Sequence, residues 1–203
     1  MARPQSISDK HILVAAYELL MEVGLRGFTF EKLGNKVGLV PAALLKRFKN
    51  KQQLLLAIDR YALEMTDKEV AEAMARTKSP TDAIIAQFTA ELAFASTIER
   101  FANGQEFLLA DFRIKELYDN YRISFERRHA QIASLLQQAA KDGYLQGAED
   151  YSELAQHLIM LLHGSGHVWA MTQGGSTIQD YIRRHVHFAL RPYMVKTQQP
   201  TSS

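Results

Sequence analysis

With 203 residues, of which 47% are apolar and 23% charged, the chain has the make-up of an ordinary globular protein, long enough for one large domain or a small and a medium one. It has no cysteine, which excludes disulfides, thiolate metal sites and thiol nucleophiles; no apolar run approaches the roughly 18 residues of a membrane span, and the start MARPQSISDK lacks the apolar centre of a signal peptide, so a cytoplasmic protein with no membrane partner is expected. The net charge of +2 is unevenly spread, residues 1–60 carrying +5 and the remainder −3, as for a basic head that binds a polyanion joined to a mildly acidic body.

Nearly every segment carries the 3.6-residue period, and none alternates as a half-buried strand would, so the fold class is all-α. A first helix is expected from a cap at Ser8, with Ile12, Ala16, Leu19, Leu20 and Val23 on one stripe, ending at Gly24. A second follows the capping residue Thr29, turns Phe30, Leu33 and Val37 inward and stops at Gly38. A third runs from Pro41, whose fixed φ suits a first helical turn, to about Phe48. Asn50 caps a long fourth helix that continues past Tyr61 to about Ala75 and so leads from the basic head into the acidic body.

Ser79-Pro80-Thr81-Asp82 is a strong helix start, and the helix it opens places Ile84, Phe88, Leu92 and Ala95 on one face. A short helix around 103–111 and a long one over about 115–141 follow, the latter with Leu117, Tyr121, Phe125, Ile132, Leu136 and Ala139 inward and Asp142-Gly143 as its stop. Asp150 and Ser152 cap a helix reaching about Met171; Gly174-Gly175 separates it from a last helix, Thr177 to about Tyr193, before the polar tail KTQQPTSS.

Two short helices joined by Gly38-Leu39-Val40, with another helix behind them, form the arrangement of a helix-turn-helix unit, with Leu33, Val37, Leu39, Leu44 and Phe48 as a small core and Gly34 permitting a close crossing. Lys46, Arg47, Lys49 and Lys51 fall within six residues, enough positive charge to hold a phosphate backbone.

The stretch GFTFEKLGNKVGLVPAALLKRFKNKQQL, Gly27 to Leu54, resembles the DNA-binding signature of the TetR/AcrR family of bacterial repressors, with Gly27, Thr29, Leu33, Gly38, Leu44, Phe48, Lys51 and Leu54 at matching spacings. It departs from that signature where the serine capping the reading helix is Val40, the tyrosine is Leu45 and the next polar residue is Lys46. The resemblance implies a helix-turn-helix DNA-binding domain over residues 1–50 and a ligand-binding and dimerisation domain over 51–203. The partners it implies are double-stranded operator DNA, a small-molecule effector and a second copy bound through the last two helices.

The candidate DNA-facing set is Thr29, Lys36, Pro41, Ala42, Ala43, Leu45, Lys46, Arg47 and Lys51, with Arg3 at the edge. Since Ala42 and Ala43 can touch only thymine methyls, specificity is expected to lean on DNA shape, with Thr29, Lys46, Arg47 and Lys51 at phosphates. In the body, Phe88, Phe107, Tyr121, Phe125 and Met160 would line a cavity for an apolar or aromatic effector, with His163 and His167 as polar handles; the same side chains also suit a filled core. These two histidines lie four apart but form an incomplete metal set, so no metal and no cofactor is expected. The segment Leu154 to Met171 is apolar nearly all round, which calls for a partner on one side. No nucleophile beside a base and no glycine-rich phosphate loop occurs, so an enzyme is not expected. The reading is a ligand-responsive regulator, most simply a repressor released by its effector. The alternative is a helical ligand-binding or interaction protein that has lost specific DNA reading.

Overall fold

The computed structural model describes residues 7–172 and 175–195; Arg3, Gly174 and the polar tail lie outside them, as does the side chain of Asp111. Among the described residues there are nine α-helices: α1 Asp9–Gly27, α2 Phe30–Val37, α3 Pro41–Phe48, α4 Lys51–Met74, α5 Pro80–Glu91, α6 Ile98–Asp111, α7 Lys115–Lys141, α8 Tyr151–Met171 and α9 Ile178–Leu190. A 3-10 turn, Arg191–Tyr193, follows α9, so the last α-helix ends three residues before the expected point, at a proline that cannot donate to the ladder. The only β pairing among the described residues is an isolated bridge, Leu145 with Met194. The chain is all-α.

The helix starts follow the local chemistry closely. Ser8, Thr29, Ser79, Asp150 and Thr177 each accept a backbone N–H from the first turn they precede, and Asn50 Oδ1 accepts Gln53 N at 2.9 Å at the start of α4. Gly38 takes the left-handed conformation, φ 70°, and closes α2 by donating to Gly34 O. Helix α6 begins five residues earlier than the sequence pattern suggests, because Thr97 caps it through Arg100 N at 3.2 Å. Helix α1 does not stop at Gly24 but breaks there and resumes to Gly27.

The chain divides into two compact units. The first comprises residues 1–67 and 94–123, the second 68–93 and 124–203, so α4 and α7 each contribute to both. In the first unit Ile12, Ala16, Leu20, Phe28, Leu33, Leu44, Phe48, Leu54 and Ile58 form a core that also takes in Phe107 from α6. Asp59 is buried there with Asn120 Nδ2 donating to Oδ2 at 2.8 Å; burial raises its pKa above the ordinary carboxyl value, against the smaller opposing effects of that bond and of Arg60. In the second unit α9 packs on α5 and α8, burying Ile178, Ile182, Val186 and Leu190, and Trp169 Nε1 donates to Ser176 O at 2.7 Å, tying the end of α8 to the segment that starts α9.

Helix α6 grips α1 at its break through polar side chains spaced three apart. Arg100 pairs with Glu18 at 3.0 Å, Asn103 Nδ2 donates to Met21 O at 2.9 Å, and Glu106 Oε2 accepts Leu25 N at 2.8 Å. Gly24 sits beneath them at φ 68°, ψ 174°, a region essentially reserved for glycine, and a Cβ there would lie 2.7 Å from Glu106 Oε2 and 2.8 Å from Asn103 Oδ1. Gly24→Ala therefore combines backbone strain with loss of this grip and is expected to destabilise the protein by about 2–4 kcal/mol, read as a lowered midpoint in thermal or urea unfolding; an unchanged midpoint would show that the break is unimportant.

Candidate nucleic-acid interface

The turn between α2 and α3 is closed by Leu39 N donating to Gly34 O at 2.9 Å, and a Cβ on residue 34 would sit 2.3 Å from Leu39 O. A side chain at that position would push the two helices apart, which is the physical reason for glycine in the middle of α2. Leu44 and Phe48 then turn into the core and fix the rotation of α3. The opposite face carries Pro41, Ala42, Leu45, Lys46 and Lys49, all exposed, while Ala43 is half-buried. The helix thus presents a smooth, small-residue surface with cations towards its C-terminal end, and Val40 at its start is 67% exposed and provides no side-chain cap.

The basic cluster divides by partner. Lys36 pairs with Glu22 at 2.7 Å. Arg47 reaches Asp9 at 3.0 Å and Ile7 O at 2.6 Å. Lys51 donates to the carbonyls of Leu25 and Phe28 at 2.9 and 2.8 Å and lies over the Phe28 ring, closing the segment between α1 and α2. Thr29 uses its hydroxyl to cap α2. Lys46 and Lys49 have neither an ion pair nor a side-chain hydrogen bond among the described residues and project from the exposed face. Three of the cations expected at phosphates or groove edges, Lys36, Arg47 and Lys51, are therefore engaged within the protein, and the residue that joins Lys46 on the exposed face is Lys49.

Lys49 also has a positive φ, 63° with ψ −55°, as the residue that ends α3; its N–H donates to Leu45 O at 2.8 Å and Asn50 then caps α4. This conformation lies outside the left-handed helical well and is that of a γ-turn, with Asn50 N donating to Phe48 O at 2.7 Å; it costs about 1–3 kcal/mol and makes the sharp reversal that sends α3 directly into α4. No sequence signal marks this position, because lysine has no preference for that conformation.

The residues expected around an effector belong to both compact units. Phe107 belongs to the core of the first unit, and Tyr121, also in that unit, meets Phe112 edge-on at 5.7 Å. In the second unit Phe88 is fully buried, Phe125 half-buried, Met160 and His167 exposed, and His163 half-buried. Burial lowers the pKa of His163 to about 4, with Arg128 and His167 acting in the same direction, so its imidazole is neutral near pH 7. Two grooves of the second unit, about 730 Å³ between α5 and α9 and about 570 Å³ beside the start of α8, are lined by other residues. Among the described residues no cluster of three or more histidines and acids could hold a metal, and no helix is long and apolar enough to cross a membrane.

Two short helices joined by a glycine-closed turn, packed with the longer α1 and exposing one face of α3, define a helix-turn-helix protein, and further helices follow. Residues 12–58 match the sequence model of the bacterial regulatory proteins, tetR family. That match runs from α1 into α4 and takes in the whole helix-turn-helix. No curated protein matches it by sequence. Solved structures share its fold along nearly the whole length. A TetR transcription regulator from Haloarcula marismortui aligns with TM-score 0.78 at 16% identity, over 93% of this chain and 100% of that one. A putative TetR-family regulator from a Rhodococcus species aligns with TM-score 0.73 at 20% identity, over 93% and 100%. A putative transcriptional regulator from Saccharomonospora viridis, solved in complex with choline, aligns with TM-score 0.74 at 20% identity, over 92% and 96%.

The division of the cations has a measurable consequence. Lys46→Ala and Lys49→Ala are each expected to weaken binding to any duplex and reduce the slope of log affinity against log salt by about 1, with little change in stability. Lys51→Met should instead lower stability by about 1–3 kcal/mol through its lost carbonyl bonds. Val40→Ser, by restoring a side-chain cap, should raise stability by about 0.5–1 kcal/mol. Paired unfolding curves and salt-series mobility shifts separate these outcomes.

Proposed function

We propose that the protein is a homodimeric, DNA-binding transcriptional regulator, a repressor whose grip on its operator is released by a small effector bound in the second unit. The observation that carries this reading is the exposed face of α3, where Pro41, Ala42 and Leu45 stand beside the unpaired Lys46 and Lys49. A smooth helix of this kind fits a major groove closely; phosphate contacts then supply affinity, and DNA shape with thymine-methyl contacts supplies sequence preference. Thr29, Lys36, Arg47 and Lys51 act in the same surface by holding the head in shape.

The dimer reading is supported by the last two helices. Met160, Val168 and Met171 on α8 and Phe188 on α9 are large apolar side chains left exposed, Met171 to 84% and Phe188 to 70%, and nothing stands within 4 Å of a Cβ on Gly164. An apolar surface of this kind at a helix face with room for close approach suits a self-complementary contact with a second copy. The choline bound by the Saccharomonospora viridis protein supports a small-molecule effector in a chain of this fold; Phe88, Phe125 and His163 are the expected effector-side residues that the second unit buries or half-buries.

Mobility-shift titration against random duplex and against the protein's own upstream DNA should give one preferred sequence and a salt slope of roughly −4 to −8. A flat salt response without preference would instead favour an interaction protein that has lost DNA reading. Phe188→Glu should convert a micromolar dimer to monomer in sedimentation and abolish the preferred shift; an unaltered dimer would exclude α9 from the interface.

A further inference from the structure

The second unit contains a buried polar cluster that the regulator reading leaves unexplained. Gln87 on α5 is only 2% exposed, and its Nε2 donates to Glu91 Oε1 at 3.0 Å. Because a carboxylate can only accept, this bond fixes the orientation of the amide and leaves Oε1 on the other side. That oxygen is buried and has no hydrogen-bond partner among the described residues. The other oxygen of Glu91 takes Arg128 Nε from α7 at 2.7 Å, so the two charges of the cluster already neutralise each other. His163 on α8 lies close enough to feel the charge of Arg128 and is held uncharged at neutral pH.

A buried amide oxygen without a donor costs about 1–3 kcal/mol, and natural proteins rarely leave one unmatched. What would satisfy it is constrained by its neighbours. A cation or an anion entering here would be taken out of water with no free counter-charge, since Glu91 and Arg128 are already committed to each other. A neutral donor carries no such penalty. Ile84 and Phe88, on the same helix as Gln87, are completely buried, so this stretch of α5 is embedded in apolar packing that favours a largely apolar partner.

We propose that Gln87 Oε1 is the recognition point of the effector site, and that the effector is an uncharged, largely apolar small molecule presenting one O–H or N–H donor. This rests on the regulator reading and narrows it, replacing a purely apolar effector by one with a single hydrogen-bond donor. Gln87 sets specificity, because a site built around a buried acceptor rejects the analogue that lacks the donor.

The test uses two matched pairs of probes on the full-length, DNA-free protein: phenol with anisole, and 2-naphthol with 2-methoxynaphthalene, which differ only in whether the oxygen can donate. Titration calorimetry should show the hydroxyl member of at least one pair binding about tenfold more tightly than its ether, and Gln87→Leu should erase that preference. Equal binding of both members of each pair, or no binding by any of the four, as when Oε1 is satisfied by a resident water, would overturn the proposal. The wild-type comparison decides the matter even if the variant fails to fold. Mobility shifts on ligand-free protein are read separately: retained operator binding alongside a failed probe series removes only the effector site, whereas loss of operator binding removes the regulator reading itself.

Discussion

The head of this protein depends on how the short segment after the α1 break is held. Leu25 has its N–H accepted by Glu106 from α6 and its carbonyl bonded by Lys51 from α4, and the Phe28 carbonyl is bonded by the same lysine. Both backbone hydrogen-bonding groups of this half-buried residue near the end of α1 are thus taken by side chains from α6 and α4. Since α2 starts at Phe30, immediately after this corner, its direction and that of the reading helix packed on it follow from these bonds. Charge-assisted bonds to backbone groups are stronger than neutral ones, and here they add direction to a corner that Phe28 already anchors in the core.

That arrangement changes how the basic residues are understood. Positive charge in a DNA-binding head has two separate tasks, shaping the protein and attracting the nucleic acid, and a sequence lists both kinds of lysine and arginine without distinction. Here Lys51, Arg47 and Lys36 satisfy carbonyls and carboxylates of the head, while Lys46 and Lys49 stand free on the outer face among the described residues. The positive φ of Lys49 belongs to the same design. It ends α3 abruptly and lets α4 begin two residues later, so α3 leads almost directly into the long helix shared by both compact units.

The second unit shows a complementary economy of charge. Glu91 and Arg128 form a half-buried pair with a neutral histidine nearby, and the amide of Gln87 completes one side of that pair while its own oxygen has no partner among the described residues. Ion pairs of this sort contribute little net stability, since desolvation offsets most of the attraction; their value lies in fixing the directions of donors and acceptors at one spot. The large apolar residues left exposed on α8 and α9 belong to the same unit.

The sequence by itself determined the all-α class, the positions of most helix starts and the helix-turn-helix, because these are local matters. A capping hydroxyl at Ser8, Thr29 or Ser79 acts within one turn, Gly38 ends α2 through its own φ, and the spacing of Leu33, Leu44 and Phe48 sets which faces turn inward. Only the tertiary structure decided which cations are free, where the compact units divide and which aromatic residues share an interior. Phe107 follows the periodicity of any core-facing helix residue, yet it packs with the head because α6 docks on α1 through Arg100, Asn103 and Glu106, all partnered with residues about eighty positions away. Partners at such separations leave no trace in local spacing, so periodicity can say that a side chain is buried but not what it is buried against.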